Sequence, residues 1–291
     1  MDAHRDLRLY LHLGHTLNFG RTSAECHVSP ATLTRVIQRL EVQAGERLLD
    51  RGPRGVALTA AGHRFQRYAR DALRLWDEYR EPAGDSDELT GRVTLFASVT
   101  ACQTLLPDLL APFRAAHPQV ELELRTGAAA EAIARVDDGS VDLAVAALPD
   151  RIPASLISRP LTETPLVFVT ALGPAAPRRI TAGTPLVLPR SGLARTAADR
   201  WLRRRDSPPT RVSFVDSHEA LLALVALGCG VGVVPRLVLS SSALADRLTE
   251  VPARPPLAPF RIGPCVRRDH LRTPLVAALW STVTATAGPG R

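Results

Sequence analysis

Lysine is missing altogether from these 291 residues, so all 36 cationic side chains are arginine. Beside the abundance of alanine and proline, that bias reflects coding composition more than selection for phosphate. The net charge of +7 is therefore weak evidence for a nucleic-acid partner. Its distribution weakens it further, because residues 71–90 carry 2 arginines against 7 acids and residues 91–291 carry 23 against 16. Cysteine is sparse. Cys26, Cys102, Cys229 and Cys265 stand far apart and form no C-x-x-C pair, so neither a zinc knuckle nor a disulfide framework is indicated. The histidines are scattered too, and neither a metal nor a cofactor is expected. Long apolar runs are also lacking. The longest, Ala220 to Val234, has 15 residues and three glycines, where a bilayer span needs about 20. No basic-then-apolar leader opens the chain. The expectation is a cytoplasmic protein with no membrane partner.

What is present is organised around Asn18–Glu41. Ser29 is a good helix N-cap and Pro30 occupies the first helical position, where a missing N–H costs nothing. Leu33, Val36, Ile37 and Leu40 follow at i, i+3, i+4 and i+7, one apolar stripe. The remaining surface offers Ala31, Thr32, Thr34, Arg35, Gln38 and Arg39. Hydroxyls, an amide, guanidinium groups and a methyl suit the reading of base edges and the gripping of phosphates. Asn18 caps a short helix through Cys26, and His27-Val28 make the turn, so the pair reads as helix-turn-helix. Leu7, Tyr10, Leu11 and Leu13 supply a backing helix. An amphipathic helix with a merely solvated polar face is the competing reading, and the segments that follow decide between them.

Gly45 ends the second helix. Leu48–Leu58 then reads as strand, glycine-proline turn and strand, a basic hairpin whose Arg51 and Arg54 suit phosphate or minor groove. Thr59 caps a helix from Ala60 to about Glu81. In it Phe65, Ala69, Ala72, Trp76 and Tyr79 are spaced 4-3-4-3, a short heptad seam expected to dimerise the chain, with packing against the chain's own domain as the competing reading. Residues 82–88 are polar and breaker-rich, a hinge.

From Gly91 onward short apolar strands alternate with helices, which gives an α/β class with ligand sites at strand C-terminal ends. Strands are expected at Val93–Ala97, Val120–Arg125, Leu143–Ala147, Leu166–Thr170, Pro185–Leu188, Val212–Val215, Val231–Val234 and Phe260–Val266. Ser98-Val99-Thr100, Thr126-Gly127, Ser191-Gly192 and Ser217-His218-Glu219 follow such strands. With Ala147 they make a candidate cleft for a small anion, most simply a carboxylate. Any one of these hydroxyls is more often just a cap; four starts together favour a shared cleft. Gly228-Cys229-Gly230-Val231-Gly232 fails as a dinucleotide loop, since it precedes a strand and Val233 stands where the last glycine should. There is no G-x-S-x-G. Cys102 suits a small buried position better than a redox thiol. His218-Glu219, adjacent on a helix, should point apart, which leaves them as ligand contacts rather than an acid/base pair.

Residues Ser29–Glu41, Arg51 and Val56–Gly62 resemble, in order and spacing, the N-terminal domain of LysR-type transcriptional regulators. Leu49 and Thr34 depart from the family's usual Phe and Ser. The resemblance continues through Phe96–Ala101, Phe113–Pro118, Thr126–Ala129, Val141–Ala146, His218–Ala220 and Val225–Val231, and is less close over Pro189–Arg205. These segments are most similar to the branch that activates the acetohydroxy acid isomeroreductase gene of branched-chain amino-acid biosynthesis. The resemblance implies a winged helix-turn-helix over 1–59, a linker helix and hinge over 60–90, and a two-lobed, periplasmic-binding-protein-like (type 2) effector domain over 91–291. Its lobe I would take about 91–162 and 266–291, its lobe II about 163–265. It further implies operator DNA, RNA polymerase and a homo-oligomer, a dimer of dimers, as partners, with acetolactate or acetohydroxybutyrate as effector. A different small or aromatic carboxylate, or an enzyme carrying a DNA-binding module, are the alternatives.

Overall fold

A computed structural model describes residues 3–52, 55–80, 89–174, 176–204 and 211–285. They form two units, divided near residue 87. The first opens with α1 (Ala3–Thr16) and α2 (Phe19–Glu25). Asn18 caps α2, its side chain accepting the Arg21 N–H at 2.9 Å. The turn passes through His27, at φ 51°. α3 (Pro30–Ala44) starts on Ser29, whose hydroxyl accepts the Thr32 N–H at 3.1 Å, and stops at Gly45, at φ 69°. β1 (Leu49–Gly52) and β2 (Gly55–Leu58) pair antiparallel, Leu49 opposite Leu58 and Arg51 opposite Val56. α4 (Ala60–Arg80) follows, with the Gly62 N–H donated to the Thr59 hydroxyl at 2.9 Å.

Leu33, Val36, Ile37 and Leu40 are all buried, packed with Leu7, Tyr10 and Leu13 of α1. Each contributes about 1.5–3 kcal/mol by leaving water. The same core corrects the expected heptad seam. Ala69 is fully buried in it, and Phe65 and Ala72 pack against it. The Phe65 ring meets Tyr10 edge-on at 5.0 Å, and the Tyr10 hydroxyl donates to the Gly62 carbonyl at 2.8 Å. α1 lies close enough to cover that half of the stripe, so these three residues serve the domain's own interior. Trp76 stacks on His4 at 4.3 Å, and Tyr79 is 80% exposed.

The second unit holds two mixed sheets. In chain order its elements are β3 (Gly91–Ala97), α5 (Val99–Thr104), α6 (Leu106–Ala116), β4 (Val120–Thr126), α7 (Ala132–Asp137), β5 (Leu143–Leu148), β6 (Leu156–Ser158) and β7 (Thr162–Thr164). Then come β8 (Leu166–Ala171), β9 (Leu186–Pro189), α8 (Gly192–Leu202), β10 (Val212–Val215), α9 (His218–Ala226), β11 (Val231–Pro235), α10 (Arg236–Ser240) and β12 (Leu248–Val251). β13 (Phe260–Arg267) and α11 (Pro274–Ala285) close the chain. Lobe I runs β4-β3-β5-β13-β6, with β7 also on β13; lobe II runs β10-β9-β11-β8-β12.

Each sheet is buried on both faces. In lobe I, Phe113 and Leu279 cover one side, Ala132 and Val136 the other; in lobe II, Ala198 and Trp201 face one side, Leu221 and Val225 the other. The eight expected strands are all present. Leu156–Ser158, Thr162–Thr164 and Leu248–Val251 were not expected, being too short to show a period. The lobe boundary also needs correction. β13 pairs antiparallel with β5 from Arg261↔Leu148 to Val266↔Leu143, so lobe I regains the chain at Phe260 rather than 266. β7 pairs with β13 as well, so lobe II begins after Thr164. The chain crosses between the lobes twice.

Candidate functional site

Two places collect the chemistry foreseen in the sequence. The first is the outer face of α3. Ser29, Pro30, Ala31, Thr32, Arg35 and Gln38 are exposed and Thr34 is half-buried. The Ser29 and Thr32 hydroxyls also hydrogen-bond each other at 2.8 Å. Arg39 requires a correction. Its guanidinium donates twice to one carboxylate oxygen of Asp6 on α1, at 3.0 and 2.6 Å. The side chain turns back to tie α3 to α1, an end that helical spacing alone does not reveal. Arg51 lies over the Phe19 ring, 4.4 Å from its centroid, and is exposed. That contact docks the hairpin on α2 by a cation–π attraction. Arg54 lies outside the described residues.

Sequence reasoning missed Glu41, whose carboxylate accepts the N–H groups of Leu48 and Leu49 at 2.9 and 3.2 Å and so sets where β1 begins. An acid in the last turn of an amphipathic helix gave no sign of that role. Nearby, the hydrogen bonds from Arg21 and then His12 hold the Glu25 carboxyl below its ordinary range.

The second place is a cavity of about 360 Å³ between lobes I and II. Ser98, Val99 and Thr100 reach it from the start of α5, Gly127 from the loop after β4 and Ala147 from β5. Ser191 precedes α8 on its wall, and Ser217, His218 and Glu219 come from the start of α9. Thr126 is the exception. It is the exposed last residue of β4 and is not part of the wall, which begins with Gly127 in the loop beyond it. Wall residues that sequence reasoning missed include Ala130, Leu193, Phe260 and Ile262. They sit in a single 3-10 turn, at a helix start and on the strand that returns from lobe II, where no period marks a ligand face.

The hydroxyls differ in their engagements. Ser98 caps α5 by accepting the Ala101 N–H at 3.3 Å, and Ser217 caps α9 by accepting that of Ala220 at 3.1 Å. The Ser191 side chain makes no such cap at α8. Thr100, itself buried, donates to Glu219 across the cleft at 3.5 Å. The N–H groups left uncapped at the starts of α8 and α9 put partial positive charge on a wall that also carries Asp216 and Glu219. His218 and Glu219 both line the cavity although they are adjacent on α9. Burial lowers the His218 pKa, an effect the nearby Glu219 carboxylate opposes. Cys102 packs against the lobe I core beside this wall, and burial raises its thiol rather than activating it. Among the described residues no group of three or more His, Cys, Asp or Glu is placed to hold a metal ion, and no helix is long and apolar enough to cross a membrane.

Comparison with known proteins agrees along the whole chain. Residues 4–63 match the bacterial regulatory helix-turn-helix protein model of the lysR family, and residues 86–288 match the LysR substrate binding domain. The HTH-type transcriptional activator IlvY of Haemophilus influenzae is 34% identical, the match covering 95% of this chain and 98% of that one. The HTH-type transcriptional regulator IlvY of Escherichia coli is 35% identical, over 95% and 97%. Among solved structures, ArgP from Mycobacterium tuberculosis is similar in fold, with a TM-score of 0.66 at 22% identity over 98% of this chain and 97% of that one. The helix-turn-helix domain, the cleft between the two lobes of the second unit and these matches place the chain in the LysR family of DNA-binding transcriptional regulators.

Proposed function

We propose that this regulator activates branched-chain amino-acid biosynthesis when a small hydroxy-keto carboxylate, acetolactate or acetohydroxybutyrate, occupies the interlobe cleft. The observation that carries this reading is the cavity itself. It is small, rich in alanine and aliphatic side chains, and flanked by hydroxyls and the starts of α8 and α9. Such a wall suits a compact monocarboxylate with short alkyl groups. Similarity at 34–35% identity to proteins named IlvY supports the choice of target, through the branch of the family the sequence resembles.

On this reading the α3 face, from Ser29 to Gln38, enters the major groove of operator DNA, and Arg51 contacts the backbone beside it. Trp76, Tyr79 and the neighbouring exposed Leu75 of α4 meet a second copy of the chain, and two such dimers form the working tetramer. RNA polymerase is the downstream partner, and the cytoplasm is the site of action. The effector works through different affinities for two arrangements of the lobes or of the tetramer. Transcription reconstituted from the isomeroreductase promoter tests this: acetolactate should raise it saturably. Unchanged transcription across the titration would remove acetolactate as the effector.

A further inference from the structure

A plain carboxylate site does not account for one feature of the cleft. Its wall carries two carboxylates, Asp216 and Glu219, and no arginine. Asp216 is paired with Arg190 at 2.8 Å. Glu219, among the described residues, meets the Thr100 hydroxyl at 3.5 Å and no guanidinium. A hydrogen bond of that length is weak and exchanges readily for a better donor. An ionised carboxylate accepts only, so a ligand group beside it must donate. An anion entering the cavity brings like charge toward Glu219, and that repulsion is offset where the ligand places a donor between the two carboxylates.

We propose that Glu219 determines specificity: it accepts a hydrogen bond from a hydroxyl or ammonium on the carbon next to the ligand's carboxylate. The cleft then takes 2-hydroxy or 2-amino monocarboxylates and discriminates against 2-oxo acids of the same skeleton. An oxo oxygen at that position meets the Glu219 carboxylate lone pair to lone pair. This inference rests on the cleft being the effector site.

The test uses the full chain and four acids of one carbon skeleton: 2-hydroxy-3-methylbutanoate, 2-oxo-3-methylbutanoate, valine and unsubstituted 3-methylbutanoate. Calorimetric titration should show the hydroxy acid or valine binding about tenfold more tightly than the oxo and unsubstituted acids. The tighter of the first two identifies the natural donor. In Glu219→Gln the amide donates to the oxo oxygen, and the preference should fall to about threefold or less. Glu219 is exposed, so the variant keeps its fold. An Ala130→Leu chain separates this claim from the reading beneath it, because Ala130 is an exposed wall residue whose enlargement narrows the cavity. If Ala130→Leu weakens binding but Glu219→Gln keeps the preference, the cleft stands and the role of Glu219 is overturned. Binding untouched by Ala130→Leu overturns both, and binding of none of the four acids overturns the role of Glu219.

Discussion

Two arginines on one helix, Arg35 and Arg39, part company once their surroundings are known. Arg35 stands in solvent, while Arg39 is held by Asp6, with side chains 32% and 14% exposed. Arg39→Ala should therefore cost about 1–3 kcal/mol in a urea melt, by stranding a half-buried carboxylate. Arg35→Ala should leave the melt unchanged and weaken DNA binding. A phosphate contact would lower the salt slope by about one, and a base contact would relax preference at one position. Thiol chemistry divides in the same manner. Cys265 is fully buried, and burial pushes its thiol up to about 11, while Cys229 is exposed. A maleimide at pH 8 should label Cys229 in the native protein and reach Cys265 only after unfolding. Two of the shifted groups shape the pH dependence on either side of neutrality. The Cys265 thiol is raised in the fold, so its contribution is complete below about pH 9 and is lost as pH climbs toward about 11. The His218 imidazole is lowered, so its contribution is complete above about pH 6.5 and falls as pH drops below that value. Melting temperature measured against pH should decline on both flanks, and His218→Asn should flatten the acid one.

At the scale of elements, α4 shows what a spacing pattern conveys and what it omits. The caps of α2, α3 and α4 were legible because Asn18, Ser29-Pro30, Gly45 and Thr59 satisfy specific backbone groups, and the structure has each bond. The 4-3-4-3 stripe was legible as a buried face, but periodicity does not say which neighbour buries it. α1 takes Phe65, Ala69 and Ala72, leaving Leu75, Trp76 and Tyr79 more than a third exposed. Leu75→Glu with Tyr79→Glu should lower the oligomeric state seen by light scattering while the melt of the winged unit holds. Ala69→Asp should unfold that unit. Gly62 carries a sharper constraint, since a Cβ there would lie 2.1 Å from the Leu48 carbonyl oxygen. Gly62→Ala must push α4 off the hairpin and should cost about 1–3 kcal/mol, read as a lower denaturation midpoint. Nothing in the spacing around Gly62 announces that approach.

Across the whole molecule, the division into a reader and an α/β ligand domain was visible in the change from helical periods to alternating strands and helices, while its two lobes were implied by the family resemblance alone. The crossing at Phe260 was not visible, because β13 reads as one more largely apolar strand after β12 and only its pairing with β5 returns it to lobe I. Most of the cleft was foreseen from hydroxyls at helix starts, since strand C-terminal ends converge in open α/β sheets. The Thr100–Glu219 contact was not, for it joins residues 119 positions apart. A ligand in this cleft alters DNA binding only through differential affinity, with coupling of about 1–3 kcal/mol in typical regulators. The most direct test of that claim is a DNase footprint upstream of the isomeroreductase gene at rising acetolactate. Ligand control predicts a saturable change in protected length or hypersensitivity that Ala130→Leu shifts to higher concentration. Footprints identical from zero to saturating acetolactate would contradict it.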